Sequence, residues 1–297
     1  VIKNNMVSGF SFIKHGLTLE YPILESVQSI DPLCDEVVIN VGFETPECDK
    51  DDGTYEYLRD NLTGERYKFI KSWWDPSIMS RGLILSQQTN IAMEACKGSI
   101  GQYIQGDEAI HEDDLPLIEE GIKKMVDRKE IEGLLYNYTH FFGNTDLYKF
   151  DPHSYRKEVR TVRLGIGLES YLDAQGFRFS DGRKPSAIET GARIFHYGWA
   201  RRENAMSDKK RAFEKLYFGK DHESEEYTYD RIFGLRKFEG THPALLKSWI
   251  EKNHNDVTFE QLNDPRIFAN FKNWIRLMVE EYTGHMIGEF RNYKKIK

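Results

Sequence analysis

SRGLILSQQTNIAMEACKGSIGQYIQGDEAIHEDD, from Ser80 to Asp114, decides the fold of this chain. Its first half has helical periodicity up to Cys96, with Ile84, Gln88, Ile91 and Ala95 on one face and Gln87 close by. A glycine-punctuated turn follows, and Ser99 to Gln105 reads as a short buried strand. That strand empties into Gly106-Asp107-Glu108, and a second acidic cluster, Glu112, Asp113 and Asp114, comes directly after. In an open α/β sheet, ligands sit beyond the carboxyl ends of the strands, so a carboxylate there is aimed at a ligand. A solvated acidic turn explains the same residues without chemistry. Gln88 adds the functional argument, because a polar residue in an apolar stripe needs a partner and a ligand is one candidate.

Working outward, the same alternation precedes the stretch. Met6 to Ile13 (MVSGFSFI) predicts a first strand, rich in aromatic and β-branched residues. Tyr21 to Ser29 predicts a short amphipathic helix with Pro22 near its start, where a missing N–H costs nothing. Glu36 to Val41 (EVVINV) is an apolar run of the kind buried on both faces of a sheet. A loop of acidic and turn residues ends in Asp51-Asp52-Gly53-Thr54, then Tyr55 to Asn61 predicts a helix and Tyr67 to Lys71 a third strand. Strand and helix alternate four times before Gly106, which predicts βα units around a mostly parallel sheet.

Downstream, Asp113 or Asp114 is placed to cap a helix with Pro116 in its first turn, running to Asp127. GLLYNYTHFFG and EVRTVRLG predict strands, and a short strand from Arg193 to Phe195 leads into His196-Tyr197-Gly198-Trp199. From Arg201 the periodicity is helical, over Asn204 to Phe218, Pro243 to Asn253 and Pro265 to Glu281. The shift sets the expected division: an α/β domain over 1–200 and a helical C-terminal extension over 201–297.

Composition narrows the function classes. Hydrophobic residues at 39% and charged residues at 30% describe a globular chain with an ample core. A net charge of −7 argues against a nucleic-acid partner, which needs a basic surface. Cys34, Cys48 and Cys96 have no metal spacing and are too few for a disulfide framework, so buried free thiols in a reducing compartment are expected. No apolar run approaches the 18 residues of a membrane span. The first residues lack a basic-then-apolar leader, so a cytoplasmic location is expected; the start on Val1 rather than Met weakens that expectation.

The order of these pieces resembles a family 2 glycosyltransferase with the nucleotide-diphospho-sugar transferase fold called GT-A, over roughly residues 6 to 200. VSGFSFIKHG, EVVINVG and the DDGT loop match the family's opening strands and nucleotide-side loop, SQQTNIAMEACKGSIGQYIQGDE its helix, strand and metal element, and HYGW a closing element of a bacterial branch. The resemblance implies an inverting, metal-assisted transfer of sugar from a nucleotide-sugar donor to a glycan or lipid-linked acceptor. It implies Mn²⁺ or Mg²⁺ on Asp107, bridging the donor phosphates. One departure stands out: the family's Asp-x-Asp reads Gln105-Gly106-Asp107 here, so Gln105 can hydrogen-bond a ribose or sugar hydroxyl but supplies no charge.

Around that frame the expected site residues fall into place. His196 is weighed evenly between a metal or phosphate contact, which would favour Mn²⁺, and a packed histidine. Asp52 reads as a plain Asp-Gly turn by itself and as a nucleotide contact under the resemblance. Arg81 and Gln88 are expected to reach the donor from the central helix. Of the downstream carboxylates Glu169, Asp173 and Asp181, Asp173 is the candidate base, because its small neighbours leave room for an acceptor. Arg156, Arg160 and Arg163 are expected to be mostly a solvated strand face. Lys209, Lys210, Arg211, Lys215 and Lys220 frame Ala212, Phe213, Leu216 and Tyr217, a pattern that suits core packing first and peripheral contact at the inner face of a membrane second. Two other classes stay open: a nucleotidyltransferase, although Lys14-His15-Gly16-Leu17 is no triphosphate loop, and a non-catalytic nucleotide- or glycan-binding protein with a decayed metal site.

Overall fold

The computed structural model describes residues 3–78, 82–218 and 222–297. The chain begins β1 (Lys3–Ile13), α1 (Ile23–Ile30), β2 (Glu36–Phe43), α2 (Thr54–Asn61), β3 (Tyr67–Trp73), α3 (Leu83–Glu94) and β4 (Gly98–Tyr103). It continues β5 (Glu108–Ile110), α4 (Leu115–Asp127), β6 (Gly133–Phe142), β7 (Asn144–Lys149), β8 (Lys157–Arg163), β9 (Leu168–Tyr171), β10 (Gly176–Phe179) and β11 (Ser186–Trp199). The remainder holds α5 (Glu203–Phe218), β12 (Leu235–Lys237), α6 (Lys247–Lys252), α7 (Phe259–Leu262), α8 (Phe271–Thr283) and β13 (Lys294–Lys295).

The expected α/β class holds: a central sheet is flanked by helices. Its strand order is β12-β7-β6-β8-β4-β1-β2-β3, with β11 branching from β6 and carrying β5 and β13. "Mostly parallel" fits only the first half, where β3, β2, β1 and β4 run parallel. There β1, β2 and β3 are each followed by a helix that carries the chain back across the sheet. Beyond β4 the connections change. β8 runs antiparallel to both β4 and β6, and β6 turns straight into antiparallel β7 at Gly143, whose φ of 79° suits a residue without Cβ.

β2 shows why the sheet sits in the middle. Val37, Ile39 and Val41 pack with Ile23, Val27 and Ile30 of α1 and with Ile118 and Met125 of α4. Val38 faces the other way, onto Ala92 and Met93 of α3 and onto Leu168 and Phe177 of the β9–β10 hairpin. The period of two sends alternate side chains into two cores, each burial worth roughly 1.5–3 kcal/mol.

Three expectations change in detail. His196 lies inside β11 rather than beyond a short strand, because pairing to β6 and β5 extends that strand to 14 residues. Asp114 precedes α4 but gives it no side-chain cap, since its carboxylate accepts from the backbone N and Nε of Arg193, both at 2.9 Å. The basic trio is not a solvated face. Arg160 is wholly buried against Glu108, Arg163 donates to the carbonyls of Met125, Arg128 and Ile131, and Arg156 grips both carboxylate oxygens of Glu280. Strand β12 joins β7 and β13 joins β11, so residues after 201 also edge the sheet. Among the described residues no helix is long and apolar enough to cross a membrane.

Candidate functional site

The carboxyl ends of β1, β3 and β4 open into a cavity of about 490 Å³. One group of wall residues is aromatic and apolar: Phe12, Trp74, Pro76, Ile78 and Leu85. Phe12 and Trp74 stack with ring centroids 5.3 Å apart, and the Lys14 ammonium lies over Trp74 at 5.7 Å. A second group is polar and charged: Gln105, Asp107, Asp173, Gln175, His196 and Lys209.

Asp107 stands in the turn between β4 and β5, and its carbonyl accepts from Tyr197 N of β11 at 2.8 Å. That strand pairing brings His196 Nε2 within 3.4 Å of Asp107 Oδ2. Lys209 arrives from α5, with Nζ 3.5 Å from the same oxygen and 2.8 Å from the Gly198 carbonyl. Burial by itself would raise the Asp107 carboxyl, but His196, Lys209 and Arg201 outweigh it and hold it far below the ordinary range. Burial lowers the Lys209 ammonium to about 8, an effect that Asp107 partly offsets.

The imidazole of His196 is oriented from behind. His140 Nε2 donates to the Tyr155 carbonyl at 2.9 Å, and burial with His196 nearby pushes His140 well below the usual histidine value. A neutral His140 then accepts at Nδ1, so His196 donates from its own Nδ1, 3.0 Å away, and turns Nε2 to the cavity. Gly198 completes the arrangement. A Cβ there would lie 2.5 Å from Asp107 Oδ2, 2.6 Å from His196 Nε2 and 2.8 Å from Lys209 Nζ. The glycine of HYGW is therefore required by three polar groups converging on its Cα.

Asp107 and His196 are the pair implied for Mn²⁺ or Mg²⁺, but the residues around them do not fit such an ion. A hard divalent cation wants several oxygen ligands, and an ammonium can only donate. Lys209 sits against the Asp107 carboxylate, while Glu108 is wholly buried and accepts from Arg160 Nε and Nη2, at 3.0 and 2.8 Å, and from the Tyr138 hydroxyl. Among the described residues no three His, Cys, Asp or Glu side chains converge as a metal group.

The other expected residues divide. Gln105 lines the cavity and donates from Nε2 to the Tyr103 hydroxyl at 3.2 Å and the Ala174 carbonyl at 3.4 Å, tying two turns together. Asp173 also lines it, alone among Glu169, Asp173 and Asp181. Gln88 does not. It is buried, with Oε1 accepting from Asn40 and Ser72 and Nε2 donating to the Trp73 carbonyl, so the partner it needed is protein. Asp52 also stays out of the wall; it accepts from Thr54 N and from Thr18 N at 2.8 Å, clipping the loop after β1 to the start of α2. Arg81 and Lys220 lie outside the described residues.

Sequence reasoning missed Lys209 as a site residue, and a signal existed. Ala205, Lys209 and Ala212 recur at helical spacing, and a lysine within a small-residue stripe faces inward. Phe12 and Trp74 were missed because nothing in the chain announces that the ends of two strands will stack.

Glu158 of β8 supports the Asp173 turn from below, accepting from Gln175 Nε2 at 2.7 Å and Asn292 Nδ2 at 2.9 Å. Burial raises its carboxyl to about 7, despite Gln175, Arg160, Asn292 and Arg178, and its Oε2 has no hydrogen-bond partner. A carboxyl raised in the fold takes up a proton on folding, so the stability it contributes is full below the ordinary carboxylate pKa. It is lost as pH rises through about 7. Glu158→Gln is expected to flatten the melting temperature between pH 5 and pH 8, removing a dependence of up to about 3 kcal/mol. Equal pH profiles in the two proteins would place the proton elsewhere.

No family model and no curated protein matches the sequence. Solved structures with some likeness include those of S. aureus TarS. Residues 1–349 in complex with UDP match at 16% identity and a TM-score of 0.29, covering 47% of this chain and 37% of that one. A second structure of residues 1–349 matches at 12% identity and a TM-score of 0.32, covering 73% of this chain and 67% of that one, and TarS itself at 14% and 0.36, covering 70% and 39%. This chain thus spans well under half of two of the three. At such scores the likeness carries no argument about activity.

Proposed function

We propose that the chain transfers a sugar from a nucleoside-diphospho-sugar donor to a glycan or lipid-linked hydroxyl acceptor, with inversion at the anomeric carbon. The observation that supports it is one cavity at the strand ends with three kinds of wall. Stacked aromatics suit a flat base, cationic Lys209 suits a diphosphate, and Asp173 suits an attacking hydroxyl. In the reaction the acceptor O–H gives its proton to the Asp173 carboxylate while its oxygen bonds to the anomeric carbon. The bond from that carbon to the diphosphate breaks, and the diphosphate leaves with the electron pair. Gln105 holds the Ala174 side of the base's turn, and Gly198 keeps the cationic side open.

Thermal unfolding against UDP, GDP, ADP, CDP and dTDP and their sugars tests the donor class, since a ligand of the native state raises the melting temperature. One nucleotide family is expected to stabilise the protein, with its diphosphate and sugar forms both active. No shift with any of them would remove the nucleotide-sugar reading.

A further inference from the structure

We propose that the Lys209 ammonium, rather than a divalent cation, neutralises the diphosphate of the donor. The inference rests on the nucleotide-sugar reading above and goes beyond it by naming how the leaving group is met.

The leaving diphosphate gains negative charge as its bond to sugar breaks, so a cation must sit where that charge develops. Such sites hold it with a metal ion, an arginine or a lysine. Here the position beside Asp107 is taken by Lys209. Its Nζ is 3.5 Å from Oδ2 and donates to the Gly198 carbonyl, 2.8 Å away. The residue is 6% exposed, yet it lines the cavity, so its charge is presented to a ligand through little water. The ring of Trp199 lies 4.8 Å from Nζ and that of Tyr21 5.5 Å, which confines the ammonium further.

The same contacts explain the departure at Gln105. Two cations face the one acid of this turn: Lys209 and Arg201 both donate to the Gly198 carbonyl, at 2.8 and 3.0 Å, and both act on the Asp107 carboxylate. One positive charge is therefore left over for the diphosphate, and a second acid at 105 would cancel it. Glu108, the remaining acid of the turn, is neutralised by Arg160 inside the core. Asp107 then serves as the anchor that holds Lys209 in place, and not as a ligand to an ion.

Isothermal titration of UDP, GDP, ADP, CDP and dTDP into the wild-type protein, in EDTA and again with Mn²⁺, tests this without any variant. At least one diphosphate is expected to bind in EDTA, with an affinity within about threefold of that in Mn²⁺. Lys209→Met keeps the length of the buried stem, and its folding is checked by thermal unfolding. It is expected to weaken binding in EDTA by about 10–100-fold, the weight of a charge-assisted hydrogen bond. Binding that needs Mn²⁺ and persists in Lys209→Met would overturn the Lys209 role while leaving the nucleotide reading in place. Failure of every diphosphate to bind under both conditions would overturn both.

Discussion

Asp173→Asn is expected to lower kcat by about 10²–10⁴-fold, the usual worth of a general base, with diphosphate affinity little changed. The amide is nearly the same shape but cannot take the acceptor's proton. The turn that carries it is built with unusual backbone. Leu172 and Ala174, on either side, have φ of 50° and 59°, a region costly for residues with a Cβ and one that clusters at functional sites. Three contacts hold the turn: Ser86 N to the Leu172 carbonyl, Gln105 Nε2 to the Ala174 carbonyl, and Arg160 Nη1 to the Gln175 carbonyl. Strain kept in place by three separate elements holds the backbone of the turn that brings Asp173 to the cavity wall. Full turnover in Asp173→Asn together with an inactive Glu169→Gln would move the role to Glu169.

Glu108→Gln is expected to act on stability and to cost about 3–5 kcal/mol, as loss of one partner in a buried ion pair does. Neither Glu108 nor Arg160 is exposed at all, and their two hydrogen bonds are reinforced by the Tyr138 hydroxyl at 2.7 Å and by Gln105 N at 3.2 Å. The amide leaves the guanidinium charge uncompensated in the core. Urea unfolding measures the loss, and a second change, Arg160→Met, should recover part of it by removing the stranded charge. A loss below about 1 kcal/mol in Glu108→Gln would show that water reaches the pair.

These two neighbours, Asp107 and Glu108, illustrate what the sequence could and could not convey. The strand-to-acid passage after β4 was legible, because alternation sends adjacent side chains to opposite faces and a strand end at a sheet's carboxyl edge points to ligand space. The first βα units were legible for the same local reason, with β2 and α2 beginning within a residue of their expected starts. What the sequence hid was pairing across distance. Gln88 looks like a ligand contact until Asn40 of β2 and Ser72 of β3 arrive to satisfy it. Arg160 looks like a surface charge until Glu108, 52 residues away, closes on it. Lys209 looks like one of several surface lysines until α5 folds back onto the end of β11. Each case turns on which polar group meets which, and local periodicity carries no information about that.

The release of nucleoside diphosphate from a nucleotide-sugar that binds, followed by separation of nucleotides in the presence of candidate hydroxyl acceptors, tests the central claim most directly. The predicted result is release by the wild-type protein, a glycoside product of inverted anomeric configuration, and loss of both in Asp173→Asn. A protein that binds the nucleotide-sugar but releases no diphosphate with any acceptor or with water would contradict it.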